Sequence, residues 1–173
     1  ENLIFERFQR SSLSQLPDWI DNKDDPTAAF TRHTIVQQYL SDLLFAEDDF
    51  ISVALIDSTG ESYTLDRSTV LKFGAAAAKA IDLKRVEDAR GKAVWFPGQG
   101  GVIMAKALYD VPSSKYVATA ILVIESARIY DVYTQINRLT QGKIILFDNL
   151  GNPFVHPDDR DGLIDYVLEN RLY

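Results

Sequence analysis

FISVALIDSTGESYTLD, residues 50–66, is where the chain changes its period. The near-continuous apolar run FISVALID enters the turn Ser58-Thr59-Gly60 and leaves as ESYTLD. The stretch therefore reads as a β-hairpin in which Gly60 supplies the positive φ of the turn.

Upstream the spacing is helical. Leu3, Ile4, Phe8, Leu13 and Leu16 recur loosely over residues 2–16, ending before Pro17. Asp25-Pro26 then forms a helix start, an acidic cap followed by proline at the first helical position. Phe30, Val36, Leu40, Leu43 and Leu44 share one face of a helix running to about residue 46.

Downstream, residues 75–88 (AAAAKAIDLKRVED) read as a helix by propensity. Three strand-like stretches follow: KAVWF at 92–96, VIMAKALYD at 102–110 and KYVATAILVIE at 115–125. Two strands, a helical crossing and three strands make one antiparallel five-stranded α+β unit.

The hairpin has a counterpart. Residues 144–154, IILFDNLGNPF, superpose on 53–63, VALIDSTGESY, without a gap at an offset of 91, with Asp148 on Asp57 and Gly151 on Gly60. Two readings stand. An Asp-initiated hairpin turn has this pattern wherever it occurs, or the chain starts the same sheet unit twice. Each copy follows one helix and precedes another, which favours the second. The expected division is a helical segment at 1–46, an α+β module at 47–126, a connecting helix at 127–142 and the beginning of a second module at 143–173.

A formal net charge of −7 and a pI near 4.8 argue against a nucleic-acid backbone or an anionic bilayer as the main partner. There is no cysteine, hence no disulfide or thiolate chemistry. The longest strongly apolar run, VATAILVI at 117–124, falls short of the roughly 18 residues a membrane span requires. Starting at Glu1 without Met or a signal segment, the chain reads as a fragment whose membrane anchors lie outside it.

Chemical motifs are sparse. Gly98-Gln99-Gly100-Gly101 lacks the spacing and the strand-to-helix context of a dinucleotide loop and suits a β-turn. Asp21, Asn22, Asp24 and Asp25 lack the glycine and distant glutamate of a calcium loop. His33 sits on an amphipathic helix. His156-Pro157-Asp158-Asp159 reads either as a hairpin exit with an aspartate capping the next helix or as a carboxylate-assisted site. No catalytic residue, metal ligand or cofactor is assigned. A cavity between sheet and helical crossing would draw on Tyr63, Trp95, Lys106, Tyr109 and Asp110 from the strands and their ends, and on Arg67 with Lys72 from the crossing. Lys106 is the most informative, because a charge in mid-strand is expensive to cover unless it meets an anion or reaches solvent. By alternation it shares a face with Met104 and Leu108.

In order and spacing, ISVALIDSTGESY, GKAVWFPG, VIMAKALYD, KYVATAILVIESARIYDVY and GKIILFDNLGNPFVHPDD resemble the Cache sensor domains of bacterial membrane receptors, especially the double-Cache ectodomains of YesM-like sensor histidine kinases. The resemblance covers most of the chain from about residue 30. It implies a long N-terminal helix, a membrane-distal PAS-like module, and the start of a membrane-proximal one. It also implies a location on the extracellular or periplasmic face of the bacterial membrane, a small-molecule ligand in the distal module, no nucleic-acid partner, and a homodimer formed through the N-terminal helix. The fragment itself would not be an enzyme; the full-length protein would be a histidine kinase. Double-Cache modules that bind amino acids share an Arg-x-Trp-Tyr segment, and Lys92-Ala93-Val94-Trp95-Phe96 keeps its Trp while losing its Arg and Tyr. Two alternatives stand beside the sensor: a ligand-free dimerisation module, and a small hydrolase using His156 and nearby aspartates.

Overall fold

Asp25 and Pro26 start a helix as their chemistry dictates: the Asp25 carboxylate accepts from the Thr27 N–H at 2.8 Å, and proline occupies the first turn. The resulting helix, α1, runs Pro26–Leu44. The structure, a computed structural model, describes residues 25–98, 101–110 and 112–125, with Ile4, Leu13, Ala127, Ile129, Asp131 and Gln135 as single positions. The expected helix over 2–16 apart from Ile4 and Leu13, most of the connecting helix, and the whole of 143–173 lie outside the described residues.

The two halves of α1 differ. Val36, Tyr39, Leu40, Leu43 and Leu44 are buried, whereas no residue from Pro26 to Ile35 is. Phe30, expected on the buried face, is 73% exposed, and in this first half it is Ile35 that packs against the apolar core on the α1 side of the sheet.

The hairpin forms as read, with β1 at Phe50–Asp57 and β2 at Ser62–Asp66. Its turn is organised by one carboxylate oxygen: Asp57 Oδ1 accepts from Thr59 N at 2.8 Å, Thr59 Oγ1 at 2.7 Å and Glu61 N at 3.0 Å, while Gly60 takes φ 86°.

The helix expected over 75–88 is two helices, α2 at Phe73–Ala80 and α3 at Leu83–Asp88. Asp82 explains the break. Its side chain accepts from Arg85 N at 3.1 Å, so it caps a new helix while Ile81 and Asp82 themselves are extended. Three strands complete the unit: β3 at Val94–Gly98, β4 at Gly101–Tyr109 and β5 at Tyr116–Glu125.

The protein is α+β, an N-terminal helix followed by a five-stranded sheet in the order β2-β1-β5-β4-β3, every neighbouring pair antiparallel. Register assigns each side chain to a face. The cross-strand row Leu65, Val53, Leu122, Met104, Trp95 faces α1. The adjacent row Thr64, Ala54, Ile121, Ala105, Val94 faces α2 and α3. Two apolar layers result, one on each side of the sheet. Each fully buried Leu or Ile contributes about 1.5–3 kcal/mol over its exposed state. Among the described residues no helix is long and apolar enough to cross a membrane.

Candidate functional site

The position of α2 is set by a glycine and an aspartate. Gly74 lies so close to the sheet that a Cβ there would stand 2.6 Å from Ser52 Oγ and 3.3 Å from the Val53 carbonyl oxygen. Asp66, at the end of β2, turns its carboxylate back over this contact. Its Oδ1 accepts from Ser52 Oγ at 2.7 Å and from the Gly74 N–H at 2.9 Å, and Lys72 Nζ stands 3.9 Å from Oδ2. The first turn of α2 is thereby capped from another element, since Lys72 at the N-cap position provides no side-chain cap.

Anchored over β1 and β2, α2 turns short side chains toward the other half of the sheet. Ala76, Ala77 and Ala80, together with Phe73, face Pro97, Gly98, Ile103 and Val123 across a cleft of about 320 Å³. That volume is at the small end of the range for small-molecule sites, roughly 300–1,000 Å³. None of these lining side chains is ionisable.

At the opposite end of β4 the same side of the molecule opens into a wider groove of about 720 Å³. Glu87, Asp88 and Arg90 border it from the end of α3; Tyr109, Asp110 and Tyr116 border it from β4 and β5. Tyr109 donates to the Glu87 carbonyl at 3.1 Å and meets Tyr116 edge to face at 6.0 Å between centroids. Burial raises both phenol pKa values above the ordinary value. Two non-glycine residues with positive φ, Arg90 at 48° and Ser114 at 56°, also border this groove.

Of the residues expected around a ligand, Tyr109 and Asp110 come together in the groove, where the Asp110 carboxylate holds the β4–β5 turn by accepting from Ser113 N at 3.0 Å. Tyr63, Trp95 and Lys106 belong to the opposite face of the sheet, the one whose β1–β2 end carries α1, with Trp95 on the far edge strand and 37% exposed. Lys106 does share that face with Met104 and Leu108 and is only 9% exposed. Arg67 is a clamp on the backbone: it donates to the carbonyls of Leu44 at 2.6 Å, Glu47 at 2.9 Å and Phe50 at 2.8 Å, and lies 5.4 Å from the Phe45 ring centroid.

Sequence reasoning passed over Asp66, Gly74 and the alanines of α2. The alanine run was read for helix propensity, although a helix face of methyl groups over a sheet also leaves space. His33 is exposed, its ring 6.3 Å from that of Tyr63. His156 lies outside the described residues. Among the described residues no group of three or more His, Asp or Glu is placed to hold a metal ion. Comparison of the chain with protein-family models and with curated proteins finds no match.

Proposed function

We propose that residues 50–125 are a PAS-like sensory module, the membrane-distal Cache module of an extracytoplasmic receptor domain, and that it binds an uncharged small molecule in the cleft beneath α2. The observation that carries this reading is the cleft itself: about 320 Å³ between a helix of alanines and the β3–β4–β5 end of the sheet, with no ionisable side chain among the described residues of its walls. A charged ligand would lose its hydration there with no side-chain charge among the described walls to replace it, whereas an apolar guest gains by leaving water. The strand order, with helices crossing between β2 and β3, supports the PAS-like assignment.

Binding changes output through differential affinity for two arrangements of the helices. A tenfold change requires about 1.4 kcal/mol of preference. The output itself would be a cytoplasmic histidine kinase joined through membrane segments outside these residues.

The test is a thermal-shift screen of small metabolites against the wild-type chain and Ala76→Leu, which narrows the cleft from the exposed side of α2. A ligand at a hundredfold excess over Kd stabilises the fold by about 2.7 kcal/mol. Uncharged compounds should raise the unfolding temperature of the wild type and lose most of that effect in Ala76→Leu. Stabilisation confined to charged compounds, or undiminished in the variant, contradicts the reading.

A second reading, dimerisation through α1, is favoured by the exposure of Phe30 on that helix. A chain that stays monomeric at high concentration by light scattering contradicts it.

A further inference from the structure

β2 is an edge strand, first in the order β2-β1-β5-β4-β3. At one end of its hairpin Asp57 N bonds Glu61 O at 2.9 Å, and at the other Arg67 N bonds Ile51 O at 3.0 Å. Antiparallel bonds to one neighbour fall on alternate residues. Glu61, Tyr63, Leu65 and Arg67 therefore turn their backbone groups toward β1, while Ser62, Thr64 and Asp66 turn theirs away from the sheet. Among the described residues no backbone hydrogen bond reaches those outward groups.

The edge is open to solvent. α1 and α2 pack on the two faces of the hairpin and leave its rim between them. Ser62 is exposed and Thr64 half-buried. Asp66 is half-buried as a residue although its side chain is only 4% exposed, so what it shows to solvent is main chain. The opposite edge strand, β3, contains Pro97, which has no N–H to donate to an added strand. β2 has no proline, lysine or bulge to turn a strand away.

We propose that this edge pairs with the same edge of a second copy of the chain, antiparallel and two-fold symmetric about Thr64, so that two five-stranded sheets become one. The sequence of the edge is complementary to its own reversal. Thr64 meets Thr64 and Ser62 meets Asp66 on the α2 face; Tyr63 meets Leu65 on the α1 face; at the two ends Glu61 meets Arg67, opposite in charge. Every outward N–H then faces an outward carbonyl. Sliding the copies by two residues, the next register that keeps these groups facing, leaves one outward residue of each strand beyond the partner strand. The interface lies apart from the cleft beneath α2 and does not depend on what that cleft binds.

Amide hydrogen exchange of the whole chain, followed residue by residue by NMR at low and high protein concentration with the mass measured by sedimentation, tests it. A dimer should form as concentration rises. With it the amides of Ser62, Thr64 and Asp66 should slow by about tenfold, while those of Tyr63 and Leu65, bonded to β1, stay slow at both concentrations. Ser62 is exposed, so its side chain can be changed without disturbing the core. Ser62→Asp sets carboxylate against carboxylate in both symmetric pairs and should weaken the dimer by about fivefold, whereas Ser62→Lys, opposite the same Asp66, should not weaken it. A chain monomeric throughout would overturn the proposal, as would a dimer in which the amides of Ser62, Thr64 and Asp66 exchange as fast as in the monomer, the result expected of pairing through Phe30. Protection that appears only on adding a strand-forming peptide of other sequence, or equal effects of the two Ser62 variants, would overturn it too.

Discussion

The carboxylate of Asp66 reaches from the end of β2 to the backbone N–H of Gly74 in the first turn of α2, at 2.9 Å, while also accepting from Ser52 Oγ. One side chain thus joins the hairpin, the sheet floor and the helix that roofs the cleft. Asp66→Ala strands a buried hydroxyl and a helix-end N–H, and should lower stability by about 1–3 kcal/mol in urea unfolding. Asp66→Asn, which keeps an acceptor, should lose less. Equal losses would mean that the charge, and not the geometry of the cap, is what matters.

Gly74→Ala pits propensity against space. Alanine is better than glycine in a helix by about 1 kcal/mol, but its Cβ would stand 2.6 Å from Ser52 Oγ. Overpacking should win, with a net loss of about 1–3 kcal/mol. Adding Ser52→Ala should recover part of it, giving a non-additive double-mutant cycle. Strict additivity would contradict the contact.

Arg67 ends α1 by holding three successive carbonyl regions at Leu44, Glu47 and Phe50. A lysine has neither the planar fork nor the stacking surface for Phe45. Arg67→Lys should therefore behave almost as Arg67→Ala, each losing about 1.5–3 kcal/mol by denaturant titration. Retention of full stability in the lysine variant would show that a point charge suffices.

Alkaline pH should unfold the chain through its phenols. Burial raises the Tyr39 hydroxyl, and burial first with Glu61 second raises that of Tyr63, both well above the ordinary value of about 10. A folded-state value above the unfolded one means stability is fully present below pH 10 and falls as pH rises past it toward the folded values, because the unfolded chain releases these protons first. Absorbance titration near 295 nm should show two slow tyrosines that ionise only with unfolding. Free ionisation of all tyrosines near pH 10 in the folded chain would contradict their burial.

The fold was legible where local and global signals coincide. FISVALID, the turn at Gly60 and ESYTLD carry their strand period and their turn chemistry together, and the hairpin lies where it was read. The break at Ile81-Asp82 was not, because an aspartate inside an alanine-rich segment is also tolerated in a continuous helix and its capping role shows only once Arg85 N is in reach. The site was less legible still. Alternation correctly put Lys106 beside Met104 and Leu108, but no period says which face of a sheet a helix will leave open. That depended on Gly74 and Asp66, two residues whose partners are distant in sequence.

The most direct measurement is a ¹H–¹⁵N NMR titration of the wild-type chain with the uncharged compound that raises its unfolding temperature most. Saturable shifts should centre on the amides of Ala76, Ala77, Ile103 and Val123, the walls of the cleft beneath α2. Shifts centred instead on the Tyr109–Tyr116 groove or on the α1 face, or the absence of any saturable shift, would contradict the assignment of that cleft as the place where a ligand is read.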